Sequence, residues 1–166
     1  MIKVKPTEEK PVKIPSSPVT DFLKRAKVEF EVLPQKKHAW EAEDLAKLRG
    51  RPLASVVKSI VLTDGKTHVI ACVPGDRMLK AKKARAILGT GKLEFAPEVQ
   101  LAKLTGHKLG TVAPIGLKKK ITVVMDKALL KRVKVNISAG KPGFGVELRS
   151  ADLVKLANAK VADIKQ

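Results

Sequence analysis

One lysine in this chain stands where strand logic would not put it. In SVVKSIVL, residues 55–62, Lys58 interrupts an otherwise apolar run. Strand alternation sets Lys58 on one face with Val56, Ile60 and Leu62 and leaves Val57, Ser59 and Val61 on the other, so a strand here is covered on both sides. Burying an unpaired ammonium group is costly. Lys58 therefore reaches a cleft or a partner anion, or else runs its aliphatic stem out to solvent at a sheet edge. Two glycine-rich segments could complete a site. GHKLGTVAPIG sets Gly106, Gly110 and Gly116 around Pro114, and SAGKPGFG sets Gly140, Gly143 and Gly145 around Pro142. Glycine lets backbone approach a ligand closely, and proline stiffens what lies between. Backbone N–H groups in such loops can hold an anionic or carbonyl oxygen, while an ammonium fixes a charged group.

Other chemistries are poorly supplied. His38, His68 and His107 lie far apart, and there is no H-x-x-x-H, C-x-x-C or G-x-S-x-G, so neither a metal site nor a cofactor is expected. GTGK at Gly89–Lys92 hints at a phosphate loop, but that motif needs Gly at 86 and Ser or Thr at 93, where Ala86 and Leu93 stand. Cys72, the single cysteine, sits in HVIACVP with no basic neighbour to lower its pKa and reads as a small core residue. It can form no internal disulfide, which suits a reducing compartment. The histidines read as structural, although His38, in a loop between a strand and a helix, stays a candidate.

The elements that must position these residues follow from pattern. Residues 1–19 hold Pro6, Pro11, Pro15 and Pro18 among Lys, Glu and Ser and are expected to form a flexible tail; residues 20–166 form one domain. Thr20 and Asp21 offer an N-cap for a short helix through Lys27, and FEVLP reads as a strand stopped by Pro34. A helix over WEAEDLAKLR closes at Gly50. Val56–Thr63 and Thr67–Val73 make a hairpin across Asp64-Gly65. Then come a basic helix ending at Gly89, a short strand KLEFA, a helix ending at Gly106, the strands ITVVMD, VKVNISAG and FGVELR, and a last helix capped by Ser150. Helices and strands mix without regular βαβ alternation, which predicts an α+β domain around a mixed, largely antiparallel sheet.

Charge restricts the partners. Lys and Arg number 34 against 16 Asp and Glu, a formal net charge of +18. Between residues 80 and 120 the only acids are Glu94 and Glu98. A positive face that attracts a polyanion, a nucleic acid above all, is expected; the alternative is a merely solvated lysine-rich surface. No window approaches the roughly 18 apolar residues of a membrane span, and the N-terminal stretch lacks an apolar signal region, so a cytoplasmic protein is expected.

Six blocks in order, VVKSIVL, VPGDR, LTGHKLGTVAPIG, VVMD, SAGKPG and ELRSADLVKLANAKVADI, resemble the YbaK and prolyl-tRNA synthetase-associated domain family, over residues 20–164. The resemblance implies a compact α+β fold with a barrel-like mixed sheet flanked by helices, and trans-editing: hydrolysis of the ester that joins a wrong amino acid to tRNA. Its partners would be mischarged tRNA and, in some settings, a synthetase. By this resemblance the family's strand lysine falls on Lys58. Its glycine loop falls on Gly106, Gly110, Pro114 and Gly116, with the backbone from Gly110 through Ala113 and Ile115 to Gly116 receiving the carbonyl oxygen. Ser138, Gly140 and Gly143 shape the amino-acid pocket, and His38 matches a histidine of many relatives. Where the YbaK branch has aspartate in GGKRGLD this chain has Gly145, which separates it from that branch's cysteinyl-tRNA specificity. A non-catalytic tRNA-binding or synthetase-associated module, or a small-molecule ester or amide hydrolase, remain as other readings.

Overall fold

The computed structural model describes residues 13–166. Most of the expected tail, residues 1–12, lies outside the described residues, but its far end is structured. Helix α1 spans Pro18–Ala26 and starts earlier than the sequence suggests: the Ser17 hydroxyl, not Thr20 or Asp21, accepts the first free N–H, from Thr20 at 3.0 Å. Pro18 occupies the first turn, where its missing N–H costs nothing. Val19 and Leu23 are fully buried, so this helix belongs to the core.

Strand β1 (Glu31–Pro34) is followed by α2 (Ala42–Arg49), then by the hairpin β2 (Val57–Thr63) and β3 (His68–Pro74). The hairpin turn is held by Asp64, whose Oδ1 accepts the N–H groups of Lys66 and Thr67. Helix α3 (Ala81–Leu88), strand β4 (Glu94–Phe95) and helix α4 (Glu98–Thr105) precede β5 (Thr122–Asp126). Strands β6 (Lys134–Ser138) and β7 (Phe144–Arg149), helix α5 (Ser150–Ala157) and strand β8 (Lys160–Ala162) complete the order. Ser150 does not cap α5 as expected; its hydroxyl donates to the Arg132 carbonyl and fastens the helix start to the loop before β6.

The strands form two sheets rather than one continuous barrel-like sheet. One has the order β4-β2-β3-β5-β8, antiparallel across β2 and its two neighbours and parallel across β3-β5 and β5-β8; the other, β1-β7-β6, is antiparallel throughout. Their facing sides make the main core, with Val57, Val61, Ile70, Cys72, Val123 and Met125 from the first meeting Val135, Ile137, Val146 and Leu148 from the second. The other side of the five-stranded sheet is covered too: Leu62, Val69, Val73 and Val124 pack with Ala84 of α3 and with Ile164. Two-sided burial accounts for the nearly unbroken apolar runs of β2 and β3. Ile60 and Leu62 pack on that side, which by alternation is also the side of Lys58. Asp126, at the end of β5, is fully buried and accepts the N–H groups of Ile164 and Lys165, which pins the C-terminal segment to the sheet.

Candidate functional site

The site begins as a gap in strand pairing. Strand β4 covers β2 only at Leu62 and Thr63, with one further bond from the Ala96 N–H to the Val61 carbonyl at 3.0 Å. At the other end Val56 bridges to Asn136 of β6. Between them the outer edge of β2 carries no strand. Successive residues of a strand direct their polar groups to opposite edges, so Ser59, two before Val61, turns its N–H and C=O into the gap. A cleft of about 350 Å³ opens there, lined by Lys58, Ser59, Trp40, Phe95, Gly110, Val112 and Ser138. Lys58 is half-buried, and among the described residues its ammonium makes no hydrogen bond or ion pair. An ammonium in that position is available to an anionic ligand.

Part of the lining comes from the glycine loop that follows α4, and His107 is its pin. The buried imidazole accepts the Ala113 N–H on Nδ1 at 3.1 Å, so the proton sits on Nε2, which donates to the Gly116 carbonyl at 2.8 Å. Burial pushes this histidine below its ordinary pKa, with the Gly116 carbonyl opposing in part. The loop is laced to the second glycine segment: Lys108 donates to the Gly140 carbonyl, and the Gly140 N–H to the Thr111 carbonyl. Of the N–H groups expected to receive a carbonyl oxygen, those of Thr111 and Ala113 are therefore spent on Lys108 and His107. Gly110 and Val112 line the cleft, and their N–H groups donate to no described residue. Gly110 has φ +78°, and a Cβ there would lie 2.4 Å from Cζ3 of Trp40. The indole thus rests on bare backbone, with His38 packed edge-on against it at 4.5 Å.

A cation the sequence reading overlooked supports the pocket from beneath. Arg49, the last residue of α2, is only 6% exposed and meets three neutral oxygens: Gln35 Oε1 at 2.8 Å, Asn136 Oδ1 at 2.9 Å and the Ser138 hydroxyl at 3.4 Å. Burial lowers its pKa to about 10, so it stays charged at neutral pH. It ties α2 to β6 and fixes the Ser138 side chain at the cleft. Gly145, opposite Ser138 in the β6-β7 ladder, is what makes room: a Cβ there would lie 2.3 Å from Arg49 Nε. An aspartate at 145 and this arginine would compete for one volume.

The structure thus gathers Lys58, Gly110 and Ser138 around the cleft, with His38 and Gly143 in a small recess that shares Gly110 and Ser138 with it. It separates others. Pro114, Ile115 and Gly116 line a different cleft of about 620 Å³, together with Phe22, Lys118, Lys119, Lys120 and Lys160. Gly106 closes α4, Ala113 is fully buried, and Gly140 packs against His107 and Pro18. Cys72 is fully buried and burial pushes its thiol up to about 12, which rules it out as a thiolate nucleophile. Among the described residues no three His, Cys, Asp or Glu side chains converge as metal ligands would, and no helix is long and apolar enough to cross a membrane. Trp40 and Arg49 escape the sequence reading for different reasons. Trp40, the chain's only tryptophan, stands two residues from His38 in a polar loop, a signal available in the sequence; the burial of Arg49 is visible only in three dimensions.

Comparison with known proteins identifies the family. The model of the aminoacyl-tRNA editing domain matches residues 36–156. Enterococcus faecalis EbsC, a protein named for deacylation of Cys-tRNA(Pro) and Cys-tRNA(Cys), is 30% identical over 145 residues, covering 82% of this chain and 88% of its own. The proline–tRNA ligase of Geotalea daltonii is 35% identical over 150 residues, which are 90% of this chain but 25% of the ligase. A solved structure described as a proposed trans-editing enzyme for prolyl-tRNA synthetase superposes with a TM-score of 0.82 at 27% identity, covering 90% of this chain and 95% of that one. The match spans both glycine loops, the lysine strand and the cleft between them: the chain belongs to the aminoacyl-tRNA editing domain family.

Proposed function

We propose that this protein is a trans-editing deacylase that hydrolyses the ester of mischarged aminoacyl-tRNA in the cytoplasm, with the Lys58 cleft as its active site. The observation that carries the reading is Lys58 itself, an ammonium without a described counter-charge at an open strand edge, in a cleft it shares with Gly110 and Val112 of the glycine loop, whose N–H groups donate to no described residue. An aminoacyl ester is already activated, so the protein needs to position water and stabilise the oxyanion rather than supply a strong nucleophile. Lys58 holds the terminal phosphate or ribose region. The N–H groups of Gly110 and Val112 receive the carbonyl oxygen as charge builds on it, and Ser138, held by Arg49, shapes the amino-acid side of the pocket. Water adds to the carbonyl carbon, the bond to the ribose oxygen breaks and that oxygen takes up a proton, leaving free amino acid and intact tRNA.

Such a site serves fidelity because a synthetase pocket discriminates one methylene by only about 1–3 kcal/mol. The similarity to prolyl-tRNA synthetases and to EbsC makes tRNA(Pro) and its mischarged forms the first substrates to try, with a synthetase as the docking partner to test. Purified protein incubated with alanyl-, cysteinyl-, seryl- and prolyl-tRNA, on matched and mismatched tRNA, identifies the substrate. On that substrate Lys58→Ala is expected to lower deacylation about 100-fold or more while the fold persists, since the ammonium bonds to no described residue. Unchanged hydrolysis in the variant sinks the assignment. Retained tRNA binding with no hydrolysis by the unmodified protein selects the non-catalytic module instead.

A further inference from the structure

The chain has four phenylalanines, one tryptophan and no tyrosine. Phe30 and Phe144 are buried and Phe22 is half-buried, as aromatics in a small domain should be. The other two are not: Trp40 is 64% exposed and Phe95 76% exposed, and both line the Lys58 cleft. Leaving these rings in water forfeits burial that the core could have used. Neither ring is loose. Trp40 lies on the Gly110 backbone with His38 against it, and Phe95 is held in register with Leu62 by β4, whose course is fixed by the Ala96 bond to Val61. Two positioned aromatics and an available ammonium in one cleft, on a chain of charge +18, match the needs of one ligand class: an unpaired nucleic-acid end, whose bases stack on aromatic faces while its phosphates meet a cation.

We infer that Trp40 and Phe95 form a stacking subsite for the unpaired bases at the 3′ end of tRNA. The subsite rests on the reading of the cleft as a deacylase site and adds to it a way of holding the nucleotides behind the ester. Lys58, in the same cleft, takes the backbone charge, and recognition there is tolerant of base identity because every base has a stacking face. Specificity for the amino acid then stays with the Gly110 and Ser138 side of the cleft.

Because Trp40 is the only tryptophan, its fluorescence reports on this site alone. The full chain is titrated with a short unacylated RNA ending in CCA and, separately, with an abasic oligomer of the same length and backbone. The RNA is expected to quench Trp40 saturably, and the abasic oligomer to bind about ten-fold more weakly without quenching. Phe95→Leu, at an exposed position that leaves the core untouched, is expected to weaken RNA binding about ten-fold, and Phe95→Tyr to restore it. Equal affinity for the abasic oligomer, or full RNA affinity in Phe95→Leu, overturns the subsite. If that result comes with normal deacylation, the deacylase reading survives and the stacking inference falls. Base-dependent quenching in a protein that hydrolyses no aminoacyl-tRNA supports the subsite and removes the catalytic reading.

Discussion

At the scale of single residues, the two loop glycines with the same backbone sign have opposite jobs. Gly110 (φ +78°) faces the exposed Trp40 ring, whereas Gly116 (φ +67°) faces backbone: a Cβ there would lie 2.4 Å from the Pro18 carbonyl oxygen. Gly110→Ala is expected to cost about 1 kcal/mol in urea unfolding, the ordinary penalty of a left-handed residue with a side chain. It should also shift Trp40 emission and depress deacylation, because the indole must move. Gly116→Ala is expected to cost about 3 kcal/mol, the same penalty plus an overlap that only a shift of α1 can relieve. Equal losses of stability in the two would contradict the division. The sequence shows both glycines and their spacing, and Lys58 stands out as a misfit in an apolar run. It does not show which cleft each glycine lines, because that depends on where α1 packs. Nor does it show Arg49 as a buried residue: an arginine in the last turn of a helix reads as a solvated partner of the helix dipole.

At the scale of elements, the hairpin and the helices closed by Gly50, Gly89 and Gly106 are legible in the sequence, since turn chemistry and helix termination are local. Strand β8 is not. It has three residues, two of them exposed, and exists because β5 offers a parallel edge to it. The start of α1 hides in the proline-rich stretch that reads as tail, although a proline in the first turn is compatible with a helix. The glycine loop carries a pH dependence through His107. Its folded-state pKa is depressed below the ordinary 6.5 by burial, so below that value the unfolded chain binds the proton that the folded chain resists. The stability it contributes is complete above 6.5 and is lost as pH falls from there through the lowered folded value. The urea midpoint should therefore fall on mild acidification below neutrality. In His107→Gln, which cannot titrate, the protein should start less stable and lose less; an identical pH profile in the two would dismiss His107 as the source.

At the scale of the whole molecule, the charge has a place to act. Lys118, Lys119, Lys120 and Lys160 share the cleft beside Gly116, away from the Lys58 site, and suit the phosphates of a longer tRNA segment. Binding of tRNA should weaken steeply with salt. Replacing Lys118, Lys119 and Lys120 by alanine should make the slope of log K against log salt shallower by about 0.7 to 0.9 for each phosphate no longer neutralised. A slope unchanged by the triple variant would place the tRNA elsewhere.

The interrupted pairing of β2 has a consequence for self-association. An exposed strand edge is a template on which another chain can add a strand, and proteins guard such edges with charge and with short covering strands. Here β4 covers one end, the bridge to Asn136 closes the other, and Lys58 stands in the opening. A strand arriving from a second copy would have to desolvate that ammonium beside an equally basic chain. The residue proposed to meet a polyanion thus also stands as a gatekeeper against fibril-like addition at the opening.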